Sequence, residues 1–431
     1  MKEVVEAAPP LGGAASHHLT RRNAVVSGAM VVEAAVKPPN RARVVVVGGG
    51  NGGIALASRL NRKGESDVVI VEPRSEHFYR PLLSYVGAGL ATLGDARREQ
   101  SKVMPEGSTW VRDVVTRVHP ELSTVTLGSG ATIGYDQLVL AAGSRPDWDF
   151  IPGSAEAVLS ENASTNYLFD LAPKTWRLVD GATSGTAVFT MPDTTCPCAG
   201  AAQKILYMAC DLWRSRGFLD DMRVVLTVPE DTIFGVPVVD DELQRAVDDY
   251  GIELRTRTRV RSVDMRTSAI TIESDGATED ISYDFLHLTP PHIAPDWVVD
   301  CGLSTEGARG FVDVDPGTLR HRQYENVWAL GDIAATPGSS SGGALRKQTP
   351  VVAQNILSAL RGQPATARYS GYTVSPFTVS RRTLVLAEFT ADGTPKPSSK
   401  VFDPRKERRS TFLFDRWGLP WIYWHRILRG K

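Results

Sequence analysis

A chain of 431 residues is too long for one small module and suits two or three domains. Its 42% hydrophobic, 23% charged and 8% aromatic residues exclude a disordered chain, a collagen-like fibre and a coiled coil. A net charge of -1 offers no global basic field for nucleic acid, and four cysteines cannot form a disulfide framework.

No apolar run approaches the ~18 residues of a membrane-spanning helix. The stretch Ala24 to Val36 is broken by Ser27, Gly28 and Glu33. It follows Thr20-Arg21-Arg22, a faint likeness to a twin-arginine export signal. Ala, Pro, Gly and His dominate residues 7–18, so residues 1–40 are expected to be a disordered or targeting extension.

Order is expected from Arg41. Val44 to Val47 is a wholly apolar, β-branched run, the pattern of a strand buried on both faces of a parallel sheet. Gly48-Gly49-Gly50-Asn51-Gly52-Gly53 follows, then a helical apolar pattern from Ile54 to Leu60. A second apolar strand, Asp67 to Val71, ends in Glu72, 19 positions after Gly53. This is a βαβ unit with Gly48, Gly50 and Gly53 at the GxGxxG positions. The first glycine permits the tight turn, the second lets backbone approach a pyrophosphate, and the third lets helix pack on strand. The helix N-terminus offers free N–H groups to the phosphates, and Glu72 is placed to accept from an adenosine ribose. Asn51 and Gly52 lie in the same loop.

The unit alone does not separate FAD from NAD. Two later strands do: Gln137 to Leu140 running into Ala141-Ala142-Gly143, and Val327 to Leu330 running into Gly331-Asp332. Both resemble the paired signatures of flavoproteins with two dinucleotide domains, where such an aspartate reaches the ribityl and pyrophosphate part of FAD. The expected FAD domain is discontinuous, residues 41–155 plus 300–370. Residues 156–299 then form an inserted second Rossmann-like domain, and 371–431 a C-terminal segment that caps the flavin and meets a membrane interface. The expected fold class is α/β, with two Rossmann-like domains of the glutathione-reductase type. The first turn of the inserted domain, Pro192 to Gly200, carries Cys196, Cys198 and one glycine instead of a second GxGxxG. A nicotinamide donor is therefore disfavoured.

Cys198 lies where a strand hands over to a helix, and the helix dipole there favours a thiolate. A redox thiol and a small residue filling a tight turn both fit. Cys210, inside the helix, reads as core, and Cys301 as inert. No metal site is expected.

Cys198-Ala199-Gly200-Ala201-Ala202-Gln203-Lys204-Ile205 resembles the CAGAPQKI segment of sulfide:quinone oxidoreductases of the mitochondrial-like branch. The likeness continues through Val71-Glu72-Pro73, His77-Phe78-Tyr79-Arg80-Pro81, Ser164-Thr165-Asn166-Tyr167, His287-Leu288-Thr289-Pro290-Pro291 and Gly371-Tyr372-Thr373. It implies FAD, a sulfide donor, quinone as oxidant, and two cysteines that bridge beside the flavin and leave a persulfide. Cys198 matches the flavin-facing cysteine. Glu72, Arg80 with Pro81, and Val115 match FAD-contact positions, although Arg80 stands where the resembling enzymes carry glutamine.

The second family cysteine lies in a YTxCP segment that here reads Tyr372-Thr373-Val374-Ser375-Pro376. Serine carries no persulfide. Three readings stay open: an introduced serine, a pair relocated to Cys196 and Cys198, or altered chemistry. A bridge between Cys196 and Cys198 is geometrically demanding. A second departure places Ser339 to Ser341 where a lysine is expected and Arg346-Lys347 where alanines are expected.

Residues 400–431 hold nine Lys or Arg against three Asp or Glu, interleaved with Trp417, Trp421, Tyr423 and Trp424. That suits contact with a membrane surface, expected on the cytoplasmic face, or a basic tail packed on the body. The leading expectation is an FAD-dependent sulfide:quinone oxidoreductase-like enzyme. The alternatives are an FAD-dependent oxidase of a small thiol or persulfide, a type II NADH dehydrogenase-like enzyme and a flavin-binding scaffold. A homo-oligomer stays open.

Overall fold

The computed structural model describes residues 25–26, 41–194, 196–198, 200–338, 340–397 and 403–431. Strand Ala42–Val47 sits inside a six-stranded parallel sheet, with Val44 to Val47 at most 4% exposed. Apolar side chains on both faces are what a doubly covered parallel strand requires. It pairs with Ser66–Val71 on one side and Gln137–Leu140 on the other, Val44 standing opposite both Val68 and Gln137. Ser108–Val111 and Val327–Ala329 extend the sheet outward. Val25–Val26 pairs with Trp110 and Val111, so two residues of the segment expected to be disordered form an edge strand. The rest of residues 1–40 lies outside the described residues.

Helix Asn51–Lys63 packs on this sheet through Ile54, Leu56 and Leu60, all fully buried. It ends in Arg62-Lys63, which complement the dipole, and at Gly64, whose φ of 70° lets its N–H reach back to Leu60 and Asn61.

A second parallel sheet follows in the chain, in the order Ala163–Ser164, Phe285–His287, Gly185–Thr190, Met222–Thr227, Glu253–Arg255. The chain then returns to give the first sheet its last strand, Val327–Ala329. The α/β class with two parallel sheets is as expected. Helix Gly200–Arg216 packs against strand Gly185–Thr190 and is buried on nearly every side, Gln203 and Lys204 included. The antiparallel hairpin Thr373–Phe377 and Val385–Phe389 covers its N-terminal end, with Ser375 opposite Ala387.

The C-terminal segment runs through Arg409–Leu413, a π-helical turn Phe414–Gly418 and helix Leu419–His425. Phe412, Tyr423 and Leu428 are buried, whereas Leu413, Phe414, Trp417 and Trp421 are exposed. The segment thus packs on the body with one face and presents aromatics with the other. Among the described residues no helix is long and apolar enough to cross a membrane.

Candidate active site

The glycine loop is tight where a tight loop is needed. A Cβ on Gly53 would stand 1.9 Å from the Gly48 carbonyl oxygen, and one on Gly48 would stand 2.5 Å from the Ala141 oxygen. Gly48 also adopts φ 106°, a left-handed conformation that favours glycine. A Cβ on Gly50 would meet nothing within 4 Å, so the loop is open on that side. The loop is held by side chains the motif does not name. The Gly49 N–H donates to Glu72 Oε2 at 2.7 Å, and its carbonyl takes His77 Nδ1 at 3.0 Å and Gln100 Nε2 at 2.9 Å.

Glu72 is buried, and its other oxygen accepts from the Arg74 backbone N–H at 2.9 Å and from Arg74 Nε at 3.1 Å. Both carboxylate oxygens therefore serve the protein first, and a ribose would share lone pairs already in use. Asn51 adds a buried Oδ1 with no partner among the described residues, an acceptor suited to a hydroxyl donor. Ala142-Gly143 ends strand Gln137–Leu140, and Gly143 takes φ 73°. Gly331 takes φ 75° and donates its N–H to Gln348 at 2.9 Å. A Cβ on Gly52 would strike the Leu330 side chain at 2.6 Å, which seats the helix start against that same turn.

Arg80 and Asp332 attract one another across this region. Burial lowers the Arg80 pKa and the Asp332 charge raises it; burial raises the Asp332 carboxyl and Arg80 lowers it. Arg80 is exposed. Its guanidinium stands 5.6 Å over the Phe169 ring. Pro81 follows in the one-turn helix Arg80–Leu82 and is exposed. Val115 opens the antiparallel strand Val115–His119 and is buried in the main core.

Cys198 adopts φ 52°, a left-handed conformation costly for a residue with a Cβ. Three contacts hold it there. Its N–H donates to Ser340 O at 2.8 Å, and its carbonyl accepts from Ala201 N at 2.7 Å and from the Tyr167 hydroxyl at 3.3 Å. The dipole argument for a ready thiolate is overturned by burial, which pushes the Cys198 thiol up; Lys204 pulls it down, and Asp415 and Asp332 oppose that pull. Cys196 is more deeply buried, and desolvation pushes its thiol up to about 12. Its Sγ lies 3.8 Å from the Tyr167 hydroxyl. Both cysteines are free thiols, so the bridge considered between them is not made in this structure.

Ser375 comes to the same place from 177 positions away in the chain. A Cβ on Gly200 would stand 3.2 Å from Ser375 Cβ, so the serine lies against the residue two after Cys198. It is fully buried, and its hydroxyl has no partner among the described residues.

Lys204, about one turn into the helix that follows Cys198, pairs with Asp415 of the C-terminal segment at 3.0 Å. Tyr85 donates to the same Asp415 oxygen at 2.6 Å. Neither Lys204 nor Asp415 was singled out by sequence reasoning. A lysine inside an otherwise apolar helix and a lone acid among basic and aromatic residues were the available signals. His77 likewise appeared only within a matched segment.

The family described as pyridine nucleotide-disulphide oxidoreductase matches residues 42–183. The mitochondrial sulfide:quinone oxidoreductase of Mus musculus is 34% identical over 384 residues, covering 88% of this chain and 84% of the relative. That of Dictyostelium discoideum is 32% identical with the same coverage. The chain belongs to the sulfide:quinone oxidoreductase family. The family is FAD-dependent, and its members are oxidoreductases. In fold, the chain resembles the sulfide:quinone oxidoreductase of Aquifex aeolicus with a TM-score of 0.76, at 18% identity and covering 90% of this chain and 92% of that one. The relatives named mitochondrial give no support to the cytoplasmic face expected above.

Proposed function

We propose that this protein oxidises sulfide through Cys198 beside FAD and passes the electrons to quinone at a membrane surface. The observation that carries the reading is Cys198 itself. It is a non-glycine residue held in a left-handed turn by three hydrogen bonds, standing among Lys204, Asp332 and Tyr79. Strain of this kind persists where the surroundings over-determine it and gathers at functional sites.

The FAD domain is read as residues 41–155 with 300–370. Gly48, Gly50, Gly52 and Gly53 with the start of helix Asn51–Lys63 would hold the pyrophosphate. Glu72 and Asn51 would take ribose hydroxyls, with Val115 nearby. Arg80, Pro81, Ala142, Gly143, Gly331 and Asp332 would line the remainder. FAD when bound supplies a two-electron acceptor. Joining sulfide to the Cys198 thiol as a persulfide would release two protons and two electrons, and the electrons would pass to that acceptor; Lys204 stabilises the Cys198 thiolate. Cys196 is its candidate partner, held by the Tyr167 hydroxyl until it ionises.

Leu413, Phe414, Trp417 and Trp421 form the face that meets the bilayer, from which quinone is drawn. One specific observation favours a second reading. Ser375 lies against Gly200, where the resemblance implies a cysteine, so a second sulfur comes from Cys196 or from an organic thiol; an FAD-dependent oxidase of a small thiol or persulfide is the alternative.

The test is anaerobic mixing of the flavoprotein with sulfide while flavin absorbance is followed. Bleaching that is lost in Cys198→Ala supports the reading, and loss in Cys196→Ala identifies the partner. Undiminished bleaching in Cys198→Ala overturns it. Bleaching by an organic thiol but not by sulfide selects the alternative.

A further inference from the structure

We propose that a cleft beside the C-terminal segment binds the anionic phosphate headgroup of a membrane lipid. It has a volume of about 740 Å³ and lies between the end of helix Gly200–Arg216, helix Pro237–Tyr250 and residues 379–383. Neither the glycine loop nor Cys198 lines it. Five arginines and four acids do.

The acids are engaged within the protein. Asp249 pairs with Arg214 at 2.5 Å, and Asp211 takes the Arg381 backbone N–H at 2.9 Å. Glu242 pairs with Arg245 and with Lys406, the latter at 2.7 Å. Glu407 is turned to the Thr383 hydroxyl at 2.5 Å. Arg381 is also committed, donating to the Ala88 carbonyl at 2.5 Å. Arg382 and Arg409 remain. Both are exposed, and neither guanidinium has a partner among the described residues. Two such forks match phosphate oxygens in geometry as well as charge.

The cleft's place in the fold selects the source of the phosphate. Arg408 and Leu384 exchange backbone hydrogen bonds of 3.0 and 3.1 Å, which stitches the start of the C-terminal segment to the cleft's lip. Arg409 opens helix Arg409–Leu413 and lies four residues before exposed Leu413, on the same face. Arg381 is anchored on Ala88, and Arg416, inside the segment, donates to Leu90 O at 3.0 Å, two residues on. The free arginines thus border the apolar face of Leu413, Phe414, Trp417 and Trp421, where headgroups lie when that face enters a bilayer. This inference rests on the membrane-contact reading above.

The experiment is vesicle co-sedimentation of the full-length holoprotein at low salt. Vesicles are pure phosphatidylcholine or phosphatidylcholine with one-fifth phosphatidylglycerol. Arginines near an anionic surface contribute about 1 kcal/mol each, so Arg382→Gln/Arg409→Gln should lower binding to the anionic vesicles by about 30-fold. Binding to neutral vesicles should be unchanged, and Arg382→Lys/Arg409→Lys, which keeps the charge and loses the fork, should keep only part of the increment. Equal flavin content and melting temperature establish that the variants fold. Undiminished binding of the glutamine variant to anionic vesicles overturns the cleft while the membrane reading stands. An equal loss from Arg117→Gln/Arg309→Gln, exposed arginines on other elements, assigns the effect to general surface charge and also overturns it. Wild-type protein that binds neither vesicle, or loses nothing in Trp417→Ala/Trp421→Ala, instead overturns the membrane reading. Calorimetric binding of inorganic phosphate without vesicles, lost in the glutamine variant, identifies a soluble phosphate ligand and rejects the lipid.

Discussion

Lys204 and Asp415, 211 positions apart in the chain, form a 3.0 Å ion pair with side chains 2% and 4% exposed. The pair joins the helix that carries the candidate thiol at its start to the segment that presents the exposed tryptophans. Removing one partner leaves an uncompensated buried charge, which costs about 3–5 kcal/mol. Lys204→Met and Asp415→Asn are each expected to lower the urea midpoint of the holoprotein by a corresponding amount. Lys204→Met/Asp415→Leu, which removes both charges, should recover most of that loss.

The same lysine sets the reactivity of Cys198. Burial raises its thiol and Lys204 is the principal group lowering it, so Lys204→Met should raise it further. Alkylation by iodoacetamide, followed by peptide mass spectrometry, should then be slower at pH 8, with its pH profile moved upward. Cys196, held up to about 12, should react after Cys198 in the wild-type protein. Earlier labelling of Cys196 would contradict the assignment of Cys198 as the attacking thiol.

Acid should loosen the fold in a defined window. Burial lowers His77 and His292 to about 4 and His287 to about 3, from an ordinary value of 6.5. Between these values the unfolded chain binds more protons than the folded one, so unfolding free energy rises with pH. The contribution is complete above pH 6.5 and is lost as pH falls through 4. Urea midpoints at pH 7, 5.5 and 4.5 should show this slope, and it should be shallower in His77→Gln.

Ser375 presents a buried hydroxyl with nothing to bond. Leaving such a group unpaired costs about 1–3 kcal/mol, so Ser375→Ala should be at least as stable as wild type, in contrast to most core truncations. Ser375→Cys places a thiol against Gly200. Non-reducing peptide mapping should then find it bridged to Cys198, and sulfide should bleach the flavin faster.

The βαβ unit was legible because its signals are local: valine run, glycine spacing and helix periodicity all fall within residues 42–72. Cys198 was legible through its neighbours in a recognisable segment. The groups that govern it were not. Lys204 and Asp415 meet only after two sheets and a hairpin have been assembled, and neither position has a local pattern that predicts the other. Glu72 shows the opposite limit. Its place at the strand end was correctly anticipated, but its bonds to Gly49 and Arg74 depend on side-chain geometry that spacing does not encode. The expected thiolate at Cys198 failed for a related reason, since a dipole can be read from sequence and depth of burial cannot.

The contact between His77 and Tyr423 has a consequence for biosynthesis. His77 Nε2 meets the Tyr423 hydroxyl at 2.5 Å, while its other nitrogen holds Gly49; the Ser58 hydroxyl of the first helix donates to Leu428 O at 2.6 Å. The glycine loop is thus braced by residues 346 and 370 positions further along the chain than their partners. The nucleotide cradle is therefore complete only once Tyr423 and Leu428 have been synthesised, and a polypeptide arrested before Tyr423 would display the loop without its brace.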